Sequence, residues 1–156
     1  MALKVTYPDF KKNHENIVRN AITSIQEAIE QSLMEVVILA KKTNTYKDQT
    51  NNLRSSIGYV LYYNGEIVGS HFSQDGQGTK GDGAKGKQDG LEIARQAAQD
   101  AGNNGFIGVL VAGMSYARFV EDNGKDVITG SWLQIGDILD RKFADIRKEN
   151  GLIKKQ

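Results

Sequence analysis

Seven apolar residues, Val18, Ile22, Ile25, Ile29, Leu33, Val36 and Ala40, follow one another at steps of 4, 3, 4, 4, 3 and 4. That spacing stacks side chains along one face of a helix with 3.6 residues per turn, so the chain from Asn13 to Lys42 is expected to be one long amphipathic helix, residues 13–42. Asp9 or Asn13 can cap its start, Glu15 suits the first turn, and Lys41 and Lys42 suit the negative end of the helix dipole. At ~1.5 Å per residue, about 30 residues span ~45 Å, more than a compact domain of this size needs. Two dispositions are open. The helix can lie along a sheet for its whole length, or part of its apolar stripe can be covered by something outside the domain.

The rest of the chain must fold around this rod. TNTYKDQTNN breaks the helical pattern, and IGYVLYYNGEIVGSHF, residues 57–72, reads as a hairpin whose strands flank Asn64-Gly65, the pair that favours a type I′ turn. Residues 73–90 contain six glycines among eighteen residues, with Asp75, Asp82 and Asp89 offsetting Lys80, Lys85 and Lys87. Such a polar, neutral segment is expected to be a flexible loop. LEIARQAAQDA, residues 91–101, reads as a short helix ahead of Gly102, and FIGVLVAGM followed by YARFVEDNG reads as extended structure over residues 105–121. Ser131 can cap a C-terminal helix over residues 131–150, carrying Trp132, Ile135, Leu139, Phe143 and Ile146 and stopped near Asn150-Gly151. The order gives an α+β fold in a single domain, residues 1–156. A long N-terminal and a C-terminal helix pack on a small, mainly antiparallel sheet, with the glycine-rich loop and short helix inserted. A chain of this length buries roughly two-thirds of its unfolded surface.

Composition narrows the function. No apolar run approaches the ~20 residues needed to cross a bilayer, and MALKVTYPDF lacks the apolar core of a signal peptide, so no membrane role is expected and the protein is expected to be made and kept in a cytoplasm. There is no cysteine for a thiolate, a disulfide or a Cys-type zinc site, and Lys plus Arg number 20 against 19 acids. No global charge draws the chain to nucleic acid.

The segment GDGAKGKQ, Gly81 to Gln88, comes within one residue of the phosphate-binding pattern G-x-x-x-x-G-K-[ST], with Gly81, Gly86 and Lys87 in place. A phosphate cradle needs a buried strand running directly into the loop and a hydroxyl to hold magnesium. Here the strand ends near Phe72, and Gln88 replaces the hydroxyl. His14 and His71 have no second ligand at metal-binding spacing, and Ser70 and His71 are neighbours on a strand and point to opposite faces. Glu121-Asp122 reads as an acidic tip. No catalytic residue, cofactor or metal is expected, and the chain does not read as an enzyme; a nucleotide-binding enzyme using Gly81–Gln88 is the alternative.

Two stretches carry a family resemblance. TNNLRSSI, Thr50 to Ile57, resembles the T-G-x-L-R-x-S-I motif of the HK97 gp10-like neck, or head–tail connector, proteins of tailed bacteriophages, often labelled tail-component or tail-completion proteins; YARFVEDNG, Tyr116 to Gly124, resembles their Y-A-x-x-V-E-x-G-T. The resemblance runs from about Asn13 to about Asn150. It departs from the family at Asn51, at the extra Asn123 before Gly124, and in lacking the R-P-F-type entry to the last helix.

The resemblance implies a virion structural protein of the head–tail junction. It would wait in the host cytoplasm before assembly, then form a homo-oligomeric ring, hexameric or twelvefold, with portal, adaptor and tail proteins as partners. DNA would pass through without sequence reading. The motif positions Thr50, Asn52, Leu53, Arg54, Ser56, Ile57, Tyr116, Ala117, Val120, Glu121 and Gly124 are then the interface candidates. Leu53 and Ile57 are expected in the core, Tyr116 and Val120 on the core face of an extended segment, and Arg54 and Glu121 are candidates for a salt bridge, within a subunit or across to its neighbour.

Overall fold

The structure is a computed structural model that describes residues 7–43, 45–100 and 102–149. Helix α1 (Tyr7–Lys42) is one helix of 36 residues. It begins ahead of Asn13, which therefore lies inside the helix and not at its cap. Pro8 falls in the first turn, where no helical N–H is required of it. Only the C-terminal part of α1 is packed. Leu33, Val37 and Ala40 join the main core, whereas Ile17, Val18 and Ile25 remain exposed.

A one-turn helix α2 (Asn52–Ser55) leads into a hairpin of β1 (Ile57–Tyr63) and β2 (Glu66–Phe72). Asn64 and Gly65, with φ of 50° and 86°, form the connecting turn, as a type I′ turn requires of its two central residues. The third strand, β3 (Phe106–Ala112), pairs antiparallel with β1, and the sheet order is β2-β1-β3. This is the mixed helix-and-sheet fold read from the sequence.

The central strand β1 is covered on both sides, and its buried residues run almost without alternation. Ile57, Tyr59 and Leu61 face α1 and pack with Leu53, Ala117 and Val127, while Val60 faces the opposite helix with Phe72, Val111 and Ala94. That opposite helix is α3 (Ala84–Asp100), of 17 residues. It starts seven residues before the expected Leu91, inside the segment read as a loop, and its predicted last residue, Ala101, lies outside the described residues. Gly86 and Gly90 weaken helix propensity, but with Ala94 and Ala98 they form a buried stripe at four-residue spacing. Tertiary packing overrides the local preference there.

The last third differs more. β3 stops at Ala112, and the stretch expected to continue it as a strand is α4 (Ala117–Asp122), a short helix. Tyr116, Phe119 and Val120 have helical as well as roughly alternating spacing, which period alone does not resolve in so short a run. The C-terminal helix is divided into α5 (Thr129–Trp132) and α6 (Ile135–Glu149). Ser131 is buried within α5 and does not serve as the expected cap. The predicted stop at Asn150-Gly151 lies outside the described residues. Helix α6 packs against α1, where Glu35 pairs with Arg141 at 2.5 Å and with Lys142 at 3.9 Å.

Replacing Gly90 by Ala tests the close packing of α3. Helix propensity alone would stabilise the variant by ~1 kcal/mol. A Cβ at that position would sit 2.4 Å from the Ser56 carbonyl oxygen, so a net loss of ~1–3 kcal/mol is expected in urea denaturation. A midpoint raised above wild type contradicts the close approach.

Candidate functional site

The connector after α1 turns at Asn51, whose φ of 62° lies in the left-handed region, which Asn tolerates better than most other side chains. Its side chain then holds the glycine-rich segment. Oδ1 accepts from the Gly78 N–H at 2.6 Å, and Nδ2 donates to the carbonyls of Gly78 and Gly81 at 2.9 and 2.7 Å. Ser55 Oγ accepts from the Asp75 N–H at 2.9 Å and donates to its carbonyl at 3.1 Å. Contact is tight enough that a Cβ at Gly78 would lie 2.3 Å from the Gln49 carbonyl oxygen. The segment expected to be a flexible loop is thus a strap bound across α2, followed directly by α3.

This geometry bears on the phosphate-loop pattern. The first-turn amides of a helix are the groups an anion would use. In α3 the Ala84 N–H bonds Asp82 Oδ1 at 3.0 Å, and the Gly86 N–H bonds Asn52 Oδ1 at 3.3 Å. Upstream of them runs the irregular strap, and no strand feeds the loop.

The second motif converges on the first. Ala117 is buried beside Leu53 and Ile57 in the main core, with Val120 half-buried against them. Tyr116 is 40% exposed, so it is not the core residue its expected position on a strand implied. Burial nonetheless pushes its phenol pKa up, helped by the nearby Asp48 charge and opposed by the Thr50 side chain. Thr50 is half-buried, and Ser56 is fully buried, with Oγ donating to the Leu53 carbonyl at 2.8 Å. Gly124 follows α4 with φ of 73°.

Within the subunit the Arg54–Glu121 salt bridge is not formed; among the described residues no ion pair joins them. The Arg54 guanidinium donates to the Lys41 carbonyl, completing the end of α1, and lies 5.1 Å from the centroid of the Tyr46 ring. Glu121 serves the next helix. Its Oε1 accepts from the N–H groups of Val127, Ile128 and Thr129 at 3.2, 2.9 and 3.0 Å, and Oε2 accepts from Thr129 Oγ1 at 2.8 Å. Desolvation, the largest single influence, pushes this carboxyl up, but the combined hydrogen bonds from Ile128, Thr129 and Val127 outweigh it and hold the pKa below its ordinary value. The reason sequence reasoning missed this role is that it placed Glu121 on a strand.

A cleft of about 960 Å³ opens between the end of α1, the connector and the strap. Lys41, Lys42, Lys47, Arg54 and Lys80 line it against two acids, Asp48 and Asp75. Lys41 Nζ donates to both the carbonyl and the hydroxyl of Ser73 at 2.9 Å. Burial lowers its pKa, with the Asp75 charge opposing and the Lys87 charge adding to the effect. His71 is lowered for the same first reason, burial, and then by Lys41 and Lys87. The Tyr46 hydroxyl is buried without a hydrogen-bond partner among the described residues, and burial pushes its pKa up to about 12.

Besides Ile38, Ile67, Ile93 and Tyr116, exposed apolar side chains fall into two groups. Phe10, Ile17, Val18 and Ile25 are exposed along the N-terminal part of α1, and Phe119, Trp132 and Leu133 are exposed around α4 and α5. The second group belongs to the far end of α1, because Thr45 Oγ1 donates to the Asp126 carbonyl at 2.6 Å and Val127 packs beside Ala40. At ~1.5 Å per residue, the stretch from Ile25 to the end of α1 at Lys42 separates the groups by roughly 26 Å. No helix is long and apolar enough to cross a membrane among the described residues. No family model, curated protein or solved structure matches the chain.

Glu121→Gln tests the cap. Glu121 is held below the ordinary carboxyl value of 4.5, so its contribution is fully present above the unfolded-state pKa and is lost as pH falls through the lower folded one. At neutral pH the variant is expected to lose ~1–2 kcal/mol in chemical denaturation. The gap to wild type should close under acid; a gap that is constant with pH contradicts the assignment.

Proposed function

We propose that this chain is a structural protein of the head–tail junction of a tailed bacteriophage or prophage, working as a neck, connector or tail-completion part by assembling with copies of itself into a ring. The observation that carries the reading is the pair of exposed apolar groups at opposite ends of α1. A single self-complementary patch gives a two-fold dimer, whereas two different patches, each fitting the other on a neighbouring copy, give a heterologous contact that closes by rotation. Phe10, Ile17, Val18 and Ile25 form one partner surface, and Phe119, Trp132 and Leu133 the other.

Further support comes from the two stretches that resemble the connector family. They are distant in sequence, yet Leu53 and Ile57 of the first pack in one core cluster with Ala117 and Val120 of the second. The basic cleft beside the strap then suits acidic side chains of a portal, adaptor or tail protein. DNA passing through the ring would meet a chain with a formal net charge of only +1 and would not be read by sequence. The nucleotide-binding alternative would require the first amides of α3 to leave Asp82 and Asn52.

Mixing two variants tests the heterologous contact. Wild type is expected to form a closed particle by native mass measurement and negative-stain imaging. Val18→Glu and Leu133→Glu should each stay folded but close no ring alone. Mixed, they should associate through the single heterologous junction left intact and still close no ring. A wild type that forms no ring at any concentration, or single variants that still close one, would overturn the proposal.

A further inference from the structure

The sheet has two outer strands, and only one is defended against pairing with another chain. β2 carries a bulge opposite Leu61/Tyr62, the ionisable residues Glu66 and His71, and a Val68 carbonyl occupied by Gln26 Nε2 at 3.2 Å. Charge, bulges and covering groups are the usual means of blunting an edge. β3, FIGVLVA, has none of them: it contains no charged residue and no proline, and it pairs with β1 over all seven residues without a register shift.

The hydrogen-bond phase of β3 follows from the two ends of the ladder. The Gly113 N–H donates to the Ser56 carbonyl at 3.2 Å, and the Asn64 N–H donates to the Gly105 carbonyl at 3.0 Å. Antiparallel pairs alternate between hydrogen-bonded and non-hydrogen-bonded, so Ile107, Val109 and Val111 exchange bonds with β1. Phe106, Gly108, Leu110 and Ala112 consequently direct their N–H and C=O groups outward. Those groups have no hydrogen-bond partner among the described residues. The faces of the strand are covered, with Gly108 against Leu33 of α1 and Val109 and Val111 in the cluster around Ala94 of α3. What remains open is the edge itself, and only an extended strand matches its spacing of donors and acceptors.

We propose that β3 pairs antiparallel with β3 of a second copy of this chain, about a two-fold axis at Val109, to make a continuous six-stranded sheet. The strand is its own complement in this register. Phe106 falls opposite Ala112 and Gly108 opposite Leu110, which are the outward-directed residues on both copies, and Val109 meets itself in a non-hydrogen-bonded pair. With no charged side chain in the strand, two-fold pairing brings no like charges together. α3 supplies a second contact. Leu91 packs with the cluster containing Phe72 of β2, and Ile93, ~200° around the helix from it, hangs on the flank toward β3. Ile93 is 41% exposed, and a neighbouring sheet would cover it.

This contact does not rest on the ring proposed above. Alone it makes a dimer, and combined with a rotational contact it joins two rings. Val109→Cys supplies the test, because the chain has no other thiol and Cα atoms of a non-hydrogen-bonded pair, ~4.5 Å apart, are within disulfide reach. Mild oxidation should convert this variant to a covalent dimer about tenfold faster than Ile67→Cys on the β2 edge. In unmodified protein, amide exchange at Phe106, Gly108, Leu110 and Ala112 should slow about tenfold as concentration rises. Cross-linking at equal rates, or fast exchange at all four amides whatever the concentration, would overturn the proposal. The latter result would hold equally if the edge instead awaits a strand from a different protein.

Discussion

Two stretches of backbone meet at the Asn51–Ser56 turn with almost nothing between them, and the rest of the architecture is arranged around that contact. The strap crosses α2 on hydrogen bonds from Asn51 and Ser55, and α3 seats Gly86 and Gly90 against the carbonyl oxygens of Asn52 and Ser56. Any side chain beyond hydrogen at these places would push α3 off the sheet. From the same turn Leu53 and Ile57 enter the core under α1, and Arg54 reaches back to close the end of that helix. One six-residue segment therefore fixes the position of a helix on each face of the sheet.

Seen this way, the resemblance of TNNLRSSI to a connector motif acquires a structural content. Its apolar members fill the core, Asn51 and Ser55 hold the strap, Asn52 accepts from the first turn of α3, and its arginine caps α1. The surfaces proposed for assembly lie elsewhere, on the N-terminal part of α1, around α4 and α5, and along β3. The proposed assembly would need these surfaces held rigidly relative to one another, and the shared turn ties the elements that carry them.

Elements governed by local period were legible in the sequence. The long helix follows from its seven-residue stripe, and the hairpin from Asn64-Gly65. Elements governed by contact across the chain were not. Six glycines in residues 73–90 favour disorder on local entropy, and only the approach of α2 shows why glycine is needed there. Tyr116–Gly124 has too few residues for its period to separate strand from helix, and the decision falls to Glu121 binding the amides of Val127, Ile128 and Thr129. The absence of an Arg54–Glu121 pair within the subunit has the same origin: opposite charges were matched without their competing backbone partners. The candidate interface was half legible, since the length of α1 left uncovered apolar surface as one of two open dispositions, while Phe119, Trp132 and Leu133 became visible only once the chain had folded.

Amide hydrogen exchange at Gly78 and Gly86 addresses the central contact most directly. Their N–H groups donate to Asn51 Oδ1 and Asn52 Oδ1, so both should exchange as slowly as amides in the core of β1. Exchange of Gly78 at the rate of an unstructured chain, with β1 still protected, would show the glycine-rich segment to be a loose tether and would contradict this account.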